Sequence, residues 1–346
     1  MSPGAGDARP VRVAILTVAA TEGANAITDY VEQLCAALAA EGVEPVLVPL
    51  TDGRLSALGP TLRRIDAAGA DVVHVQHPVS FARRSYVPQL LSLLRPGVVT
   101  LHGGSLYGLV GGKVSLGPFF LRSRHVVFTT DYERRHALRW GPWMRGRSSV
   151  IPIGANLPGR PSEQRREREV VTFGLIRPGK GIEDALRLAA LFRDAGTGWR
   201  VRVVGQVPPA EAWYEERIRR EGEGLPVDWV VGLDHEATAH ELGQAAIAYL
   251  PFPDGASERR GSLLATLGGG APTITTRGSQ TPEALGEAVL FAPTPEEALA
   301  AVFRLANDAK LRDRLATGAA QYLERFEWES IAARHAEVYR TLARRA

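Results

Sequence analysis

Short segments rich in Val, Ile and Leu, separated by helix-length stretches, recur along the whole chain. They include 11–18, 46–48, 71–75, 97–101, 126–129, 149–153, 170–173, 201–204, 227–231, 246–250 and 273–276. A run that is mostly apolar, without a strict polar–apolar alternation, is buried on both faces, so helices must cover both sides of the sheet it joins. Helical patterns fill the gaps, at about 26–40 (ended by Gly42), 55–68, 88–94, from 132, 182–195, 210–221, 238–244 and 261–268, with two more after the last strand. Strand and helix alternating with short links predict doubly wound, parallel α/β architecture.

The alternation pauses once. Residues 156–169 are rich in Pro and Gly, then charged (Arg160-Pro-Ser-Glu-Gln-Arg-Arg-Glu-Arg-Glu), which marks a domain boundary. A length of 346 residues also fits two domains. The division expected is 1–155, a linker at 156–168, a second domain at 169–325 and a C-terminal helix in 326–346. Open α/β sheets bind ligands beyond the carboxyl ends of their strands, so two such domains are expected to share a central cleft. The ordinary dinucleotide fold is disfavoured, because Ala19-Ala-Thr-Glu-Gly23-Ala-Asn follows the first strand and contains no G-x-G-x-x-G.

Composition excludes several classes. The one cysteine, Cys35, rules out internal disulfides and cysteine-rich zinc sites. No apolar stretch reaches eighteen residues, and the polar, Gly-rich start lacks the apolar segment of a signal peptide, so a cytoplasmic location is the default expectation. Basic pairs such as Arg83-Arg84 and Arg134-Arg135 lack interleaved aromatics, which argues against nucleic acid as a partner. Residues 1–155 hold 16 Lys/Arg against 11 Asp/Glu, a surplus that fits either an ordinary solvated surface or weak peripheral contact with an anionic membrane. The apolar run 106–121, with Lys113 and Arg122, reads as a core helix and its loop, or as a contact for a lipid-linked acceptor.

One stretch points to chemistry. Val170-Val-Thr-Phe-Gly174-Leu-Ile-Arg177-Pro-Gly179-Lys180-Gly181-Ile-Glu-Asp-Ala-Leu reads as a buried strand, a Gly/Pro turn with two cations, and a helix start. Unpaired amides and the positive end of the macrodipole make such a junction an anion site. The chain has only three lysines, Lys113, Lys180 and Lys310, so a compact ammonium here departs from its habit of using Arg. Gly174-x-x-x-x-Gly179-Lys180 nearly spells a P-loop, but Gly181 stands where the Mg²⁺-binding hydroxyl belongs and Pro178 removes an amide. A diphosphate without an obligatory metal is therefore the expected ligand, with a nucleotide triphosphatase as the rival. His102 ends the strand 97–101 in front of Gly103, as His77 ends the strand 71–75, and His74 is expected on the opposite face from His77. A second loop, Pro251 to Thr276, offers another helix start at Gly261-Ser262-Leu263 and a carboxylate, Glu258, suited to sugar hydroxyls; the plainer alternative pairs Glu258 with Arg259 on the surface.

Together these residues resemble the retaining glycosyltransferases of family 4, which have the GT-B fold. The resemblance spans nearly the whole chain: Gly23-Ala-Asn-Ala-Ile-Thr-Asp-Tyr, Asp71-Val-Val-His-Val-Gln-His, Val99-Thr-Leu-His102-Gly-Gly, Phe173 to Gly181, Gly232-Leu-Asp-His-Glu, Ser257 to Thr276, and Phe326-Glu-Trp-Glu-Ser-Ile-Ala-Ala-Arg-His. It implies a nucleotide-sugar donor, an acceptor that is a saccharide, a lipid-linked sugar or a small molecule, and no cofactor. Arg177 and Lys180 would grip the donor's diphosphate, and His102 with Gly103 would line the sugar site. Gly23 and Gly174 would allow close approach to the donor, and Leu233 would meet the nucleobase. Glu258, Gly261, Ser262 and Leu263 would complete the donor site, and the last helix would pack back on the first domain. The family usually carries two glutamates seven residues apart before a G-x-P; here G-x-P is Gly270-Ala271-Pro272, the first glutamate falls on Ser257 or Glu258, and the second is Ala265. An altered donor site is the expectation, with a sugar-nucleotide epimerase or a non-catalytic binding protein as the other readings.

Overall fold

A computed structural model describes residues 9–18, 26–50, 54–78, 86–103, 110–154, 159 and 161–345. The chain divides into two compact units, Met1–Gly154 with Phe326–Ala346, and Ala155–Arg325.

The first unit is built on β1 (Val11–Val18), β2 (Val43–Leu50), β3 (Val72–Pro78), β4 (Val98–His102), β5 (His125–Phe128) and β6 (Ser148–Val150). All pairings are parallel, in the order β2-β1-β3-β4-β5-β6. Strand order reverses between β1 and β3, so the crevice such sheets use for ligands lies beyond those two strand ends. The segments that follow both strands, including Gly23, lie outside the described residues. One face is covered by α1 (Ala26–Ala40) and by the last helix of the chain, Trp328–Ala343. Ile331, Ala332, Ala336 and Tyr339 from that helix are fully buried against Tyr30, Val31, Leu34 and the strand residues Val13, Ile15 and Val98. The other face carries α2 (Leu58–Ala67), α3 (Val87–Leu94) and α4 (Val110–Arg122), with Leu91 and Phe119 packed on Val75, Val99 and Leu101, and α5 (Asp131–Leu138) follows β5.

The second unit contains β7 (Glu169–Leu175), β8 (Arg200–Gln206), β9 (Val227–Val231), β10 (Ile247–Leu250), β11 (Thr273–Thr275) and β12 (Val289–Phe291), with α6 (Ile182–Asp194), α7 (Ala212–Glu221), α8 (His235–Gly243) and α9 (Gly261–Gly268) between its strands. Its parallel order is β12-β11-β10-β7-β8-β9. This is the doubly wound Rossmann order, and its reversal falls between β7 and β10. Residues 161–168, expected to be linker, are bonded onto this unit: Arg165 donates to the carbonyls of Ala245 and Gly270, and Arg166 pairs with Glu241 and Glu169.

Two departures from the sequence pattern lie towards the end of the chain. β12 is only Val289-Leu-Phe291, a three-residue edge strand too short to show a period. Three helices, not two, then finish the chain, because Asp308 splits the stretch after residue 295. Its carboxylate accepts from the amide of Leu311 at 2.9 Å and starts a new helix, with Asp308 the single residue between it and the previous one.

Candidate functional site

The switch point of the second unit gathers two glycine-rich segments. One follows β7 and leads into α6 (Ile182–Asp194); the other follows β10 and leads into α9 (Gly261–Gly268). They touch closely. A Cβ on Gly174 would lie 3.8 Å from the Ser262 side chain, and one on Gly181 would lie 1.9 Å from the carbonyl oxygen of Pro251. Gly181 also has φ +78, a left-handed conformation that favours glycine. Gly181, at the start of α6, thus meets the Pro251 carbonyl at a distance only a residue without a side chain permits, while Gly174 and Ser262 bring the two segments into ordinary contact. Gly181→Ala should destabilise the second unit by roughly 2–5 kcal/mol, combining the left-handed penalty with overpacking. Gly179→Ala is the control: its φ is +76, but a Cβ there meets nothing within 4 Å. Chemical denaturation of both variants checks this, and equal midpoints would refute the close-approach argument.

Arg177 is exposed on the turn and Lys180 is half-buried beside Gly174, Ile182 and Val203. Burial is the main force lowering the Lys180 ammonium's proton affinity, and the charges of Arg260 and Arg177 lower it further; Asp254 acts in the opposite sense. Like charges gathered around a partly desolvated lysine repel one another, and an anion relieves that repulsion.

The second segment sorts the candidates after β10. Arg260 immediately precedes α9, and its carbonyl accepts from the amides of Leu263 (2.9 Å) and Leu264 (3.1 Å). The Leu263 amide is therefore engaged within the helix start and its side chain is fully buried, while Gly261 and Ser262 precede the first internal bonds. Glu258 is 8% exposed and its carboxylate accepts from Arg325, whose guanidinium lies 4.6 Å over the Tyr322 ring. Arg325, from the far end of the unit's sequence, is thus a partner of this carboxylate. Ala265 is 4% exposed within an apolar cluster of Val171, Val204, Leu242 and Ala248. At the end of β9, Gly232 has φ +84, and the carbonyl of Leu233 accepts from Gln206 at 2.5 Å, which fixes the turn assigned to a nucleobase.

His102 lies in the first unit at the end of β4. Its Nε2 is 2.7 Å from Gln76 Oε1 and its ring meets Tyr30 edge-on at 5.0 Å. Gly103 follows with φ 111. Behind Gln76, His74 Nδ1 is 2.6 Å from the Tyr339 hydroxyl and its Nε2 is 2.8 Å from Thr100. His335 stacks on Tyr339 and reaches the Tyr30 hydroxyl at 3.3 Å. His77 points to the other face, fully buried with its ring 4.8 Å from Phe119. Among the described residues neither of its ring nitrogens has a hydrogen-bond partner. Among the described residues no three His, Cys, Asp or Glu side chains are close enough to share a metal ion, and no helix is long and apolar enough to cross a membrane.

Three residues of the second site escaped the sequence reading: Arg260, Asp254 and Arg325. Arg260 had a legible signal, since it stands directly before the Gly261-Ser262 helix start. The pairing of Arg325 with Glu258 spans 67 positions and had none.

Two doubly wound, Rossmann-like α/β domains in one chain define the GT-B class of fold. No family model matches the chain, and no curated protein matches it in sequence. Solved structures match it throughout. A sucrose-phosphate synthase from Thermosynechococcus elongatus is 19% identical with a TM-score of 0.67, covering 97% of this chain and 100% of that one. A glycosyltransferase from Rickettsia africae is 12% identical with a TM-score of 0.70, covering 98% and 100%. The S. aureus MnaA–UDP co-structure is 13% identical with a TM-score of 0.60, covering 96% and 97%. At these identities the likeness is one of fold.

Proposed function

We propose that the protein is a glycosyltransferase that takes a sugar from a nucleoside-diphosphate donor and passes it to a hydroxyl acceptor. The observation that carries this is the junction of α6 and α9 at the switch point, where Arg177 and half-buried Lys180 stand at two adjoining helix N-termini. Support also comes from the fold shared with a glycosyltransferase and from a neighbour whose structure holds UDP. As the C1–O bond to the diphosphate breaks, positive charge builds on the sugar and negative charge on the leaving group. Preorganised cations and amides stabilise that charge. In the retaining course, the acceptor oxygen bonds to C1 on the face the diphosphate leaves, and the acceptor's proton passes to a leaving phosphate oxygen. No protein nucleophile and no metal are needed in this reading. His102 and Gly103 belong to the sugar end of the donor by the family resemblance.

A thermal-shift panel of UDP-, GDP-, ADP- and dTDP-sugars tests the donor, because a ligand that binds only the folded chain raises its stability. One nucleotide should raise the melting temperature by several degrees and should do so equally in EDTA. A panel without any shift would remove the proposal, and a shift lost in EDTA and restored by Mg²⁺ would favour the P-loop reading. Product analysis separates the remaining readings. An epimerase converts the nucleotide sugar without an acceptor, and a binding protein, made plausible by Ala265, leaves it intact.

A further inference from the structure

We infer that Arg260 is a third cationic ligand of the donor's diphosphate, and that Asp254 holds it in reserve until the diphosphate displaces the carboxylate. This deepens the anion reading of the same site and rests on it.

The backbone of Arg260 is fixed, since its carbonyl closes the first turn of α9 and its own amide donates to Ser257. Among the described residues the side chain has two restraints. Its guanidinium lies 4.6 Å over the Phe252 ring, and one terminal nitrogen pairs with Asp254 Oδ1. The pair is lopsided: the Arg260 side chain is 17% exposed and that of Asp254 is 72% exposed. A carboxylate so open to water contributes little to such a pair, because solvent screens its charge. A phosphate presents several charged oxygens to the planar fork of an arginine and binds it more strongly than a solvated carboxylate does. The exchange is therefore downhill once a diphosphate reaches the site.

Placement distinguishes this from an ordinary surface pair. Arg260 stands where the two helix starts meet, near enough to Lys180 to be the foremost like charge acting on it. A pair serving only to pin the loop would gain nothing from standing against Lys180 and Arg177. Asp254 lowers the repulsion among these cations while the site is empty, and it leaves an arginine already gathered for an incoming anion.

Titration calorimetry with inorganic pyrophosphate and with UDP and GDP tests this on the full chain and on Arg260→Met, Asp254→Asn and the double variant. Methionine keeps the contact with Phe252, and unfolding curves confirm that each variant folds; Arg260→Lys, which keeps the charge, serves if methionine does not. Arg260→Met is expected to weaken pyrophosphate binding at least tenfold, the size of a lost charge-assisted contact. Asp254→Asn should tighten it about two- to fivefold, and by clearly less once Arg260 is gone, when only the field of Asp254 on Lys180 remains to be removed. Pyrophosphate binding unaltered in Arg260→Met would overturn the inference, as would weakening in Asp254→Asn or an equal Asp254 effect in both backgrounds. The two readings fail separately. Nucleoside diphosphates bound equally by wild type and Arg260→Met would remove the role of Arg260 and leave the donor. Pyrophosphate bound through Arg260, with no nucleotide bound better, would remove the donor and leave Arg260.

Discussion

Replacing Lys180 by alanine should lower the rate of sugar transfer at least tenfold. Lys180 lies beside the start of α6 at the switch point, and an ammonium donating to a phosphate oxygen is worth about 1.5–3 kcal/mol. The loss should fall more on kcat than on KM, because negative charge on the diphosphate grows as the bond to the sugar breaks. Lys180→Arg should recover only part of the rate: it keeps a charge but not the compact ammonium that fits beside Gly174 and Ile182. Transfer by Lys180→Ala at near wild-type rates would sink the assignment of this turn to the leaving group.

That turn was legible in the sequence because it needs only local information. A continuous apolar strand, three glycines and two cations specify a strand, a turn and a helix start without reference to the rest of the chain. The partners of the site were less visible. Asp254 and Arg260 meet across a loop with no period to reveal them, and Arg325 comes from a distant helix end. Edge strands suffered for a related reason. β2 runs from Val43 to Leu50, but Glu44, Pro45 and Pro49 interrupt its apolar pattern, so only its middle reads as strand. A strand at the rim of a sheet, as β2 is, can tolerate those residues because one side of its backbone has no ladder to complete. In the first unit, the apolar runs of the strands announced the sheet, but nothing in the sequence announced that His74 would meet Tyr339, 265 positions away.

The first unit should lose stability steeply as the pH falls from about 6.5 to about 4. Burial pushes His77 and His125 down to about 4 and His335 down to about 3, with the Arg134 and Arg147 charges adding to the effect on His125. His74 is held well below its usual value by burial and by the neighbouring His335, His102 and His125. The unfolded chain protonates these imidazoles near 6.5, whereas the folded unit refuses the proton. Stability is therefore fully present above about 6.5 and drains away as the pH drops towards the folded values. His77 alone accounts for about 3 kcal/mol across that interval. Between pH 6.5 and 5 few carboxylates titrate, so a decline there isolates the histidines. Urea unfolding at pH 7.5, 6.0 and 5.0 measures it, and His77→Leu should flatten the slope and raise the midpoint, because it removes two unpartnered ring nitrogens from beside Phe119. A midpoint independent of pH over this range would refute the argument.

The last helix has a consequence for how the protein is made. Ile331, Ala336 and Tyr339 fill the face of the first sheet over β1, β3 and α1, yet they are encoded after the entire second unit. While a ribosome is still extending the chain, residues 1–154 have all six strands of their sheet but an apolar face covered only in part, by α1, and His74 lacks the tyrosine that later binds it. The second unit has no such debt, since its strands and covering helices are contiguous in sequence. The half that begins first must therefore finish last, and the nascent first unit is where chaperones would find apolar surface to hold.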